Sequence, residues 1–98
     1  MNMYAEGVSF EWDPGKAVAN VRKHGVRFSE ALGVFSDDYA ITITDDESDP
    51  HEQRFVTLGI GAMGRVLVVV YCYVGESIRI ISARTAGRFE REQYEAQR

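Results

Sequence analysis

The sequence is poor in the residues that build metal centres and disulfide frameworks. Its single cysteine, Cys72, has no partner for an internal disulfide, and two histidines are too few for a Cys/His metal cluster. Nine glycines and two prolines in 98 residues exclude a collagenous or low-complexity chain. We therefore expect one folded domain over residues 1–98, with no metal ion and no other cofactor.

Long hydrophobic runs are absent as well. No apolar segment reaches the roughly 18 residues that cross a bilayer, and the N-terminal residues have neither the basic start nor the apolar core of a secretory signal. The motifs GxxxxGKS/T, GxGxxG, HExxH and GxSxG are missing too. These absences predict a cytoplasmic protein that makes no membrane contact and uses neither nucleotide-driven nor serine-hydrolase chemistry.

The charges are distributed unevenly along the chain. The formal net charge of −4 argues against a protein that coats nucleic acid through bulk attraction to phosphate. Residues 37–52 hold seven acids and no base, whereas residues 53–98 hold seven arginines and no lysine. Because a guanidinium binds phosphate through two hydrogen bonds, any phosphate-binding surface is expected in the second half. The alternatives are that the arginines keep a sheet soluble, and that the acidic loop at 45–52 does the same rather than docking a basic partner segment.

Hydrophobic spacing predicts a strand and then two helices in the first third of the chain. Apolar residues alternate over Val8–Trp12, the pattern of a half-buried strand. Asp13 can cap a helix that begins at Pro14, and Gly25 can end it, so the first helix is expected over 14–24. A second short helix is expected over 29–35.

The rest of the chain shows strand patterns and one last helix. The sequence RVLVVVYCY is apolar on both alternating faces, which is typical of a central strand. A terminal helix is expected over 86–96. Helices grouped apart from an antiparallel sheet of three to four strands define the α+β class. The strands are expected over 39–44, 54–60, 65–73 and 78–83, with a GAMG hairpin turn at 61–64.

Polar residues along the predicted sheet form a candidate site. Counting outward from a tight GAMG turn places Arg54 opposite Tyr71, so that their side chains share a face. On a regular strand, Arg79 and Arg84 point to opposite faces about 16 Å apart. Whether Arg79 joins Arg54 and Tyr71 depends on the next turn, because a slip by one position separates them.

Such a cluster suits metal-free cleavage of an RNA phosphodiester. RNA supplies its own nucleophile, the 2′-hydroxyl, so the protein has to provide a base, an acid and cations for the charge that develops on the phosphate oxygens. Glu52 or His24 could act as base or acid. Structural roles stay open as alternatives: His24 and Lys23 as ordinary cations at a helix end, Tyr71 as a core residue instead of a base-stacking one, and Arg84 as a cap of the terminal helix.

Four blocks of sequence, in order, resemble the BrnT toxins of bacterial type II toxin-antitoxin systems. They are FEWD, KHGV, an E-x-R element and RIISAR, within segments 10–37, 51–71 and 78–95. The resemblance implies a RelE-like fold and a metal-independent ribonuclease that arrests translation and growth. It also implies a BrnA-type antitoxin with a ribbon-helix-helix DNA-binding domain, which forms a heterotetramer with the toxin and represses its own operon. DNA would then be contacted only through the antitoxin.

The resemblance assigns roles to individual positions. KHGV falls on Lys23 to Val26, E-x-R on Glu52 and Arg54, and RIISAR on Arg79 to Arg84. Together with the residue chemistry above, this predicts two groups of site residues. The catalytic group is Glu52, Arg54, Arg79 and Arg84, and the substrate-binding group is Lys23, His24, Arg65 and Tyr71.

Two positions depart from the family pattern. Val74 stands where the family tends to have a basic residue, and Thr85 stands where it tends to have the lysine of SARKA. Fewer cations near a phosphate weaken substrate binding, so reduced activity is expected. The leading hypothesis is a ribonuclease toxin. The alternatives are a catalytically weak homologue that binds its antitoxin and supports repression, and an RNA-binding domain without turnover.

Overall fold

A six-stranded sheet with helices on both faces forms the fold of this computed structural model, which describes residues 2–5, 7–45 and 50–98. Half of the predicted acidic loop, residues 46–49, lies outside the described residues. No helix in the described part of the chain is long and apolar enough to cross a membrane. The elements are β1 (Asn2–Ala5), β2 (Val8–Glu11), α1 (Pro14–His24), α2 (Phe28–Ala31), a 3-10 helix (Leu32–Ser36), β3 (Ile41–Asp45), β4 (Arg54–Ile60), β5 (Val66–Val74), β6 (Ser77–Thr85) and α3 (Arg88–Glu95).

The first helix has the predicted bounds because its end signals are local. The Asp13 side chain accepts a hydrogen bond from the Lys16 backbone N–H at 2.9 Å, and Pro14 occupies the first helical turn. Gly25 follows the last turn with a φ of 68°, and its N–H donates to the Val21 carbonyl. The predicted second helix is split into α2 and the 3-10 helix.

The α+β class is confirmed, and the sheet is larger than the predicted three to four strands. The strand order is β1-β2-β6-β5-β4-β3. All neighbouring strands are antiparallel except β2 and β6, which run parallel with Glu11 opposite Arg79. The sheet is therefore mixed, because the N-terminal hairpin of β1 and β2 adds to the edge of β6.

The two faces of the sheet are covered differently. One face carries the main core, in which Phe10, Phe28 and Leu67 are nearly inaccessible to solvent beneath α1 and α2. The other face has a smaller cluster around Leu58, Val68, Ala86 and Tyr94, packed under α3. This cluster lies toward one end of its face, and the other end carries Arg54 and Arg79.

The β4–β5 connection corrects the predicted pairing of Arg54 with Tyr71. Residues 61–65 link the strands, so Ile60 pairs with Val66 and Arg54 pairs with Cys72. The turn is wider than the tight GAMG reversal because it is attached to α2: the Ala62 N–H donates to the Glu30 carbonyl at 2.9 Å. Arg54 and Tyr71 consequently point to opposite faces.

A bulge in β6 corrects the predicted separation of Arg79 and Arg84. The pairing advances from Val70 opposite Ser82 to Tyr71 opposite Ile80, so Ile81 is an extra residue on its strand. Beyond the bulge, Arg84 pairs with Val68, whereas Arg79 pairs with Cys72. Since Val68 and Cys72 are four positions apart on β5, Arg79 and Arg84 share one face of the sheet.

Candidate active site

A row of three residues crosses the sheet at the end that α3 leaves open. Arg54 on β4, Cys72 on β5 and Arg79 on β6 are direct cross-strand neighbours. Two strand spacings separate the Cα atoms of Arg54 and Arg79 by about 10 Å. Glu52 lies just before β4, with its Oε1 3.9 Å from the Arg54 Nε. The predicted residues Glu52, Arg54 and Arg79 are therefore brought together by the register.

Arg79 is held in place by an acid from the N-terminal hairpin. Its Nε donates to Glu11 Oε1 at 2.8 Å, across the parallel pairing of β2 with β6. Among the described residues, the terminal nitrogens of Arg79 have no hydrogen-bond partner, and half of its side chain is exposed. These nitrogens are the groups with which a guanidinium binds a phosphate. Sequence reasoning missed Glu11, although it lies in the FEWD block.

Two open cavities meet at Glu52 and Arg79. The first has a volume of about 650 Å³ and is also lined by Glu11, Trp12 and Lys16. The second has a volume of about 470 Å³ and shares Glu52 and Arg79 with the first. Its other lining residues are His51, Gln53, Phe55, Cys72, Tyr73 and Val74. A substrate bound at Arg79 would have open space in the two cavities that this residue lines.

Cys72 packs within this site and does not act as a nucleophile. The side chain is 2% exposed. Burial raises the pKa of the Cys72 thiol, the charge of Glu52 raises it further, and Arg79 and Arg54 only partly oppose these effects. The thiol is therefore protonated at neutral pH, and the reactive groups of the row are its arginines and the neighbouring carboxylate.

Tyr71 lies in the main core and not in the arginine row. It is 4% exposed, and its hydroxyl lies 2.8 Å from Thr57 Oγ1. Its ring packs edge-on against Phe35 at 4.9 Å. Tyr73, on the same face two positions later, is 54% exposed and lines the second cavity. The sequence RVLVVVYCY does not predict that Tyr71 is buried and Tyr73 exposed. The exposure of the end of β5 depends on where the neighbouring strand β4 begins.

Arg84 lies on the same face as Arg79, but its side chain binds Glu90 of α3. Its two terminal nitrogens donate to the two carboxylate oxygens of Glu90 at 2.8 and 2.9 Å. These hydrogen bonds, followed by one from the Gly87 N–H, lower the pKa of Glu90 to about 2. The pair fixes the start of α3, and the strand positions place Arg84 about 13 Å along the sheet from the row.

The end of the molecule opposite to the arginine row carries Lys23, His24 and Arg65. Arg65 precedes β5, about 23 Å along the strand from Cys72. It donates to both carboxylate oxygens of the buried Glu30 at 2.7 and 2.8 Å, and to the Gly25 carbonyl at 3.2 Å. Lys23 and His24 end α1 immediately before Gly25. The structure therefore places these predicted substrate-binding residues away from Glu52, Arg54 and Arg79.

The two departures from the family pattern lie in different surroundings. Val74 ends β5, is 40% exposed and lines the second cavity together with Arg79. Thr85 ends β6 and pairs with Leu67, toward the end of the sheet where β5 begins. Only the missing cation at Val74 adjoins the arginine row.

The sequence matches a known family of toxins over most of its length. Residues 12–90 match the model of the ribonuclease toxins of type II toxin-antitoxin systems, described as "Ribonuclease toxin, BrnT, of type II toxin-antitoxin system". The chain belongs to the BrnT family.

One solved structure supports the same fold. The 1.1 Å crystal structure of the Brucella abortus ribonuclease toxin BrnT superposes with a TM-score of 0.63 at 23% sequence identity. The match covers 81% of this chain and 96% of the Brucella chain. No curated protein matches the sequence. The resemblance seen in the four sequence blocks is thus confirmed at the level of family and fold.

Proposed function

We propose that this protein is a metal-independent endoribonuclease that binds the scissile phosphate between Arg54 and Arg79. The row of Arg54, Cys72 and Arg79 at the junction of two open cavities is the observation that carries the proposal. Two guanidinium groups facing one phosphate provide positive charge where the transition state gains negative charge. A metal ion serves the same purpose in other nucleases.

The reaction is a transesterification within the RNA. The 2′-hydroxyl attacks phosphorus, the bond from phosphorus to the 5′-oxygen breaks, and the products carry a 2′,3′-cyclic phosphate and a 5′-hydroxyl. Glu52 accepts the proton of the 2′-hydroxyl, because its carboxylate lies 3.9 Å from Arg54 and the residue lines both cavities together with Arg79.

His51 is the acid that protonates the leaving 5′-oxygen. It lines the second cavity together with Glu52 and Arg79. His24, the sequence-based candidate for this role, ends α1 beside the carbonyl that binds Arg65. An imidazole can donate a proton and later take it back, which suits the role of general acid.

A protein antitoxin controls this activity in the proposed system. Membership in a toxin-antitoxin family implies such a partner. We expect a BrnA-type antitoxin with a ribbon-helix-helix domain, which would neutralise the toxin in the cytoplasm and bring it to operator DNA. Unneutralised toxin would cleave RNA and so inhibit translation and growth.

The test measures cleavage of RNA by the purified protein in buffer that contains EDTA. We expect products with 2′,3′-cyclic phosphate ends, and a loss of about 100-fold or more in rate for Arg79→Ala. Arg88→Ala is the matched control, because Arg88 also pairs with a glutamate but lies exposed on α3. Cleavage that requires added metal, or an Arg79→Ala variant as active as Arg88→Ala, would contradict the proposal.

A second function is favoured by the charge balance of the row. Arg79 is paired with Glu11, Arg54 adjoins Glu52, and Val74 adds no cation. A site with so little excess positive charge suits a catalytically weak homologue that binds the antitoxin and supports repression. Binding of the antitoxin and repression of the operon by a protein that neither cleaves RNA nor arrests growth would favour this function.

A further inference from the structure

The segment that forms α1 and leads into α2 carries positive charge that no described acid offsets. Residues 14–29 contain four bases and no Asp or Glu, although the whole chain has a net charge of −4. Among the described residues these exposed bases have no ion-pair partner; they are Lys16, Arg22, Lys23 and Arg27. Five arginines elsewhere in the fold each have a glutamate partner, namely Arg54, Arg65, Arg79, Arg84 and Arg88. The surface of α1 therefore offers cations that are free to bind an acidic partner.

An apolar cavity lies beside these cations. It has a volume of about 250 Å³, and Val18 and Val21 of α1 line it together with Arg27 and Phe28. Its described lining residues include no acid. Arg22 follows Val18 by one helical turn, so the two side chains lie on the same side of α1. We call the surface formed by Val18, Val21, Arg22 and Arg27 the α1 groove.

The valines of the α1 groove are not used by the fold. Val18 is 54% exposed and Val21 is 42% exposed. The cavity is smaller than the roughly 300 Å³ at which pockets for small molecules begin, so it suits the side chains of a protein segment better than a free ligand. RNA would satisfy the cations through its phosphates and leave the valines exposed to water. A segment with aliphatic and acidic side chains complements both parts of the groove.

We infer that the α1 groove binds an acidic amphipathic segment of the antitoxin. The inference rests on the proposed function, because it takes the antitoxin as the partner. It does not depend on the ribonuclease chemistry: α1 packs on the face of the sheet that carries the main core, whereas Arg54 and Arg79 project from the other face. The α1 groove therefore anchors the antitoxin without itself covering the arginine row.

The test measures binding of the purified product of the adjacent gene by calorimetric titration. Val18→Asp, Arg22→Glu and Arg27→Glu should each raise the Kd by about tenfold or more, because each places a negative charge against the acidic segment. Val18→Ala removes apolar surface alone and should raise the Kd by several-fold at every salt concentration. The loss caused by Arg27→Gln should shrink as salt is added.

Arg91→Glu is the matched control. Arg91 is exposed on α3, on the other face of the sheet, and this substitution makes the same change in net charge. It should bind the partner as the wild type does. Thermal melts and RNA cleavage in the absence of the partner should be unchanged in every variant. If Val18→Asp fails to fold, the arginine variants carry the test, since Arg22 and Arg27 make no ion pair with a described residue.

The outcomes separate this inference from the proposed function. Unchanged Kd values for all variants of the α1 groove overturn the inference alone. Arginine variants that keep partner affinity but lose RNA binding, or that break a wild-type dimer in sedimentation, assign the surface to RNA or to a second copy and also overturn it. A wild type that does not bind the adjacent gene product overturns the antitoxin proposal together with the inference. Binding that depends on the α1 groove, without any RNA cleavage, supports the inference and overturns the ribonuclease proposal.

Discussion

Arg54 and Arg79 lie on either side of Cys72 and project from the same face of the sheet. Because both guanidinium groups are proposed to act on one phosphate, their contributions to catalysis should not be independent. We expect Arg54→Ala and Arg79→Ala each to lower kcat/KM by about 100-fold or more, and the double variant to lose less than the product of the two. Single-turnover cleavage of one RNA substrate by all three variants provides the measurement. Fully multiplicative losses would indicate separate binding sites.

Restoring a cation at Val74 should increase activity. Val74 lines the second cavity with Arg79, so an arginine there adds positive charge beside the proposed phosphate site. For Val74→Arg we expect kcat/KM to rise by several-fold to about tenfold at low ionic strength, and the gain to shrink as salt is added. Thr85→Arg, with the same change in net charge at the far end of β6, is the control. An equal gain from both variants would point to net charge rather than position.

Replacing Arg65 should lower the stability of the fold more than it lowers the rate of RNA cleavage. Its side chain neutralises the carboxylate of Glu30, which is only 4% exposed. Arg65→Ala leaves that charge buried without its partner, so the midpoint of urea denaturation should fall markedly. Glu30→Gln introduced into the same chain should recover part of the loss, because the amide carries no charge. If the midpoint of urea denaturation is unchanged both for Arg65→Ala and for Arg65→Ala combined with Glu30→Gln, the ion pair does not stabilise the β4–β5 turn.

The Arg84–Glu90 pair should make α3 sensitive to acid. The pKa of Glu90 falls from 4.5 to about 2 on folding, so its contribution to stability is complete above about pH 4.5 and is lost as the pH falls toward 2. Partial exposure of both side chains limits this contribution to about 1 kcal/mol. Free energies of unfolding at pH 7, 4 and 2.5 should show a smaller acid-dependent loss for Glu90→Gln than for the wild type. Glu92→Gln, which alters the exposed pair with Arg88, should follow the wild type.

Local signals predicted the helices and the central strands. The cap at Asp13, the proline after it and Gly25 all act within one helix, and the observed α1 begins and ends where they indicate. The strand Arg54–Ile60 was likewise predicted with the observed bounds. The strand β1 was missed because the four residues NMYA lack clear alternation.

Relationships between distant segments were predicted less well. The turn between β4 and β5 packs against Gly33, where a Cβ atom would overlap the Ala62 nitrogen, and the pattern of neither strand contains that information. The bulge at Ile81 is equally invisible in a run of apolar residues. Because of this error in register, the sequence placed Tyr71 opposite Arg54, where the structure has Cys72.

The candidate site was predicted in part for the same reason. Glu52, Arg54 and Arg79 were chosen through the E-x-R and RIISAR blocks, and the register brings them together. Glu11 acquires its position beside Arg79 only through the parallel β2–β6 pairing.

The ion pair between Glu11 and Arg79 joins residues 68 positions apart in the chain. A polypeptide emerging from the ribosome presents β2 before β6 exists, so the parallel pairing that orients Arg79 forms only after Ser77–Thr85 has been synthesised. The arginine row also needs β4, β5 and β6 side by side. A nascent chain therefore lacks the arginine row until β2, β4, β5 and β6 have all left the ribosome, so no partial chain that ends before β6 carries the site.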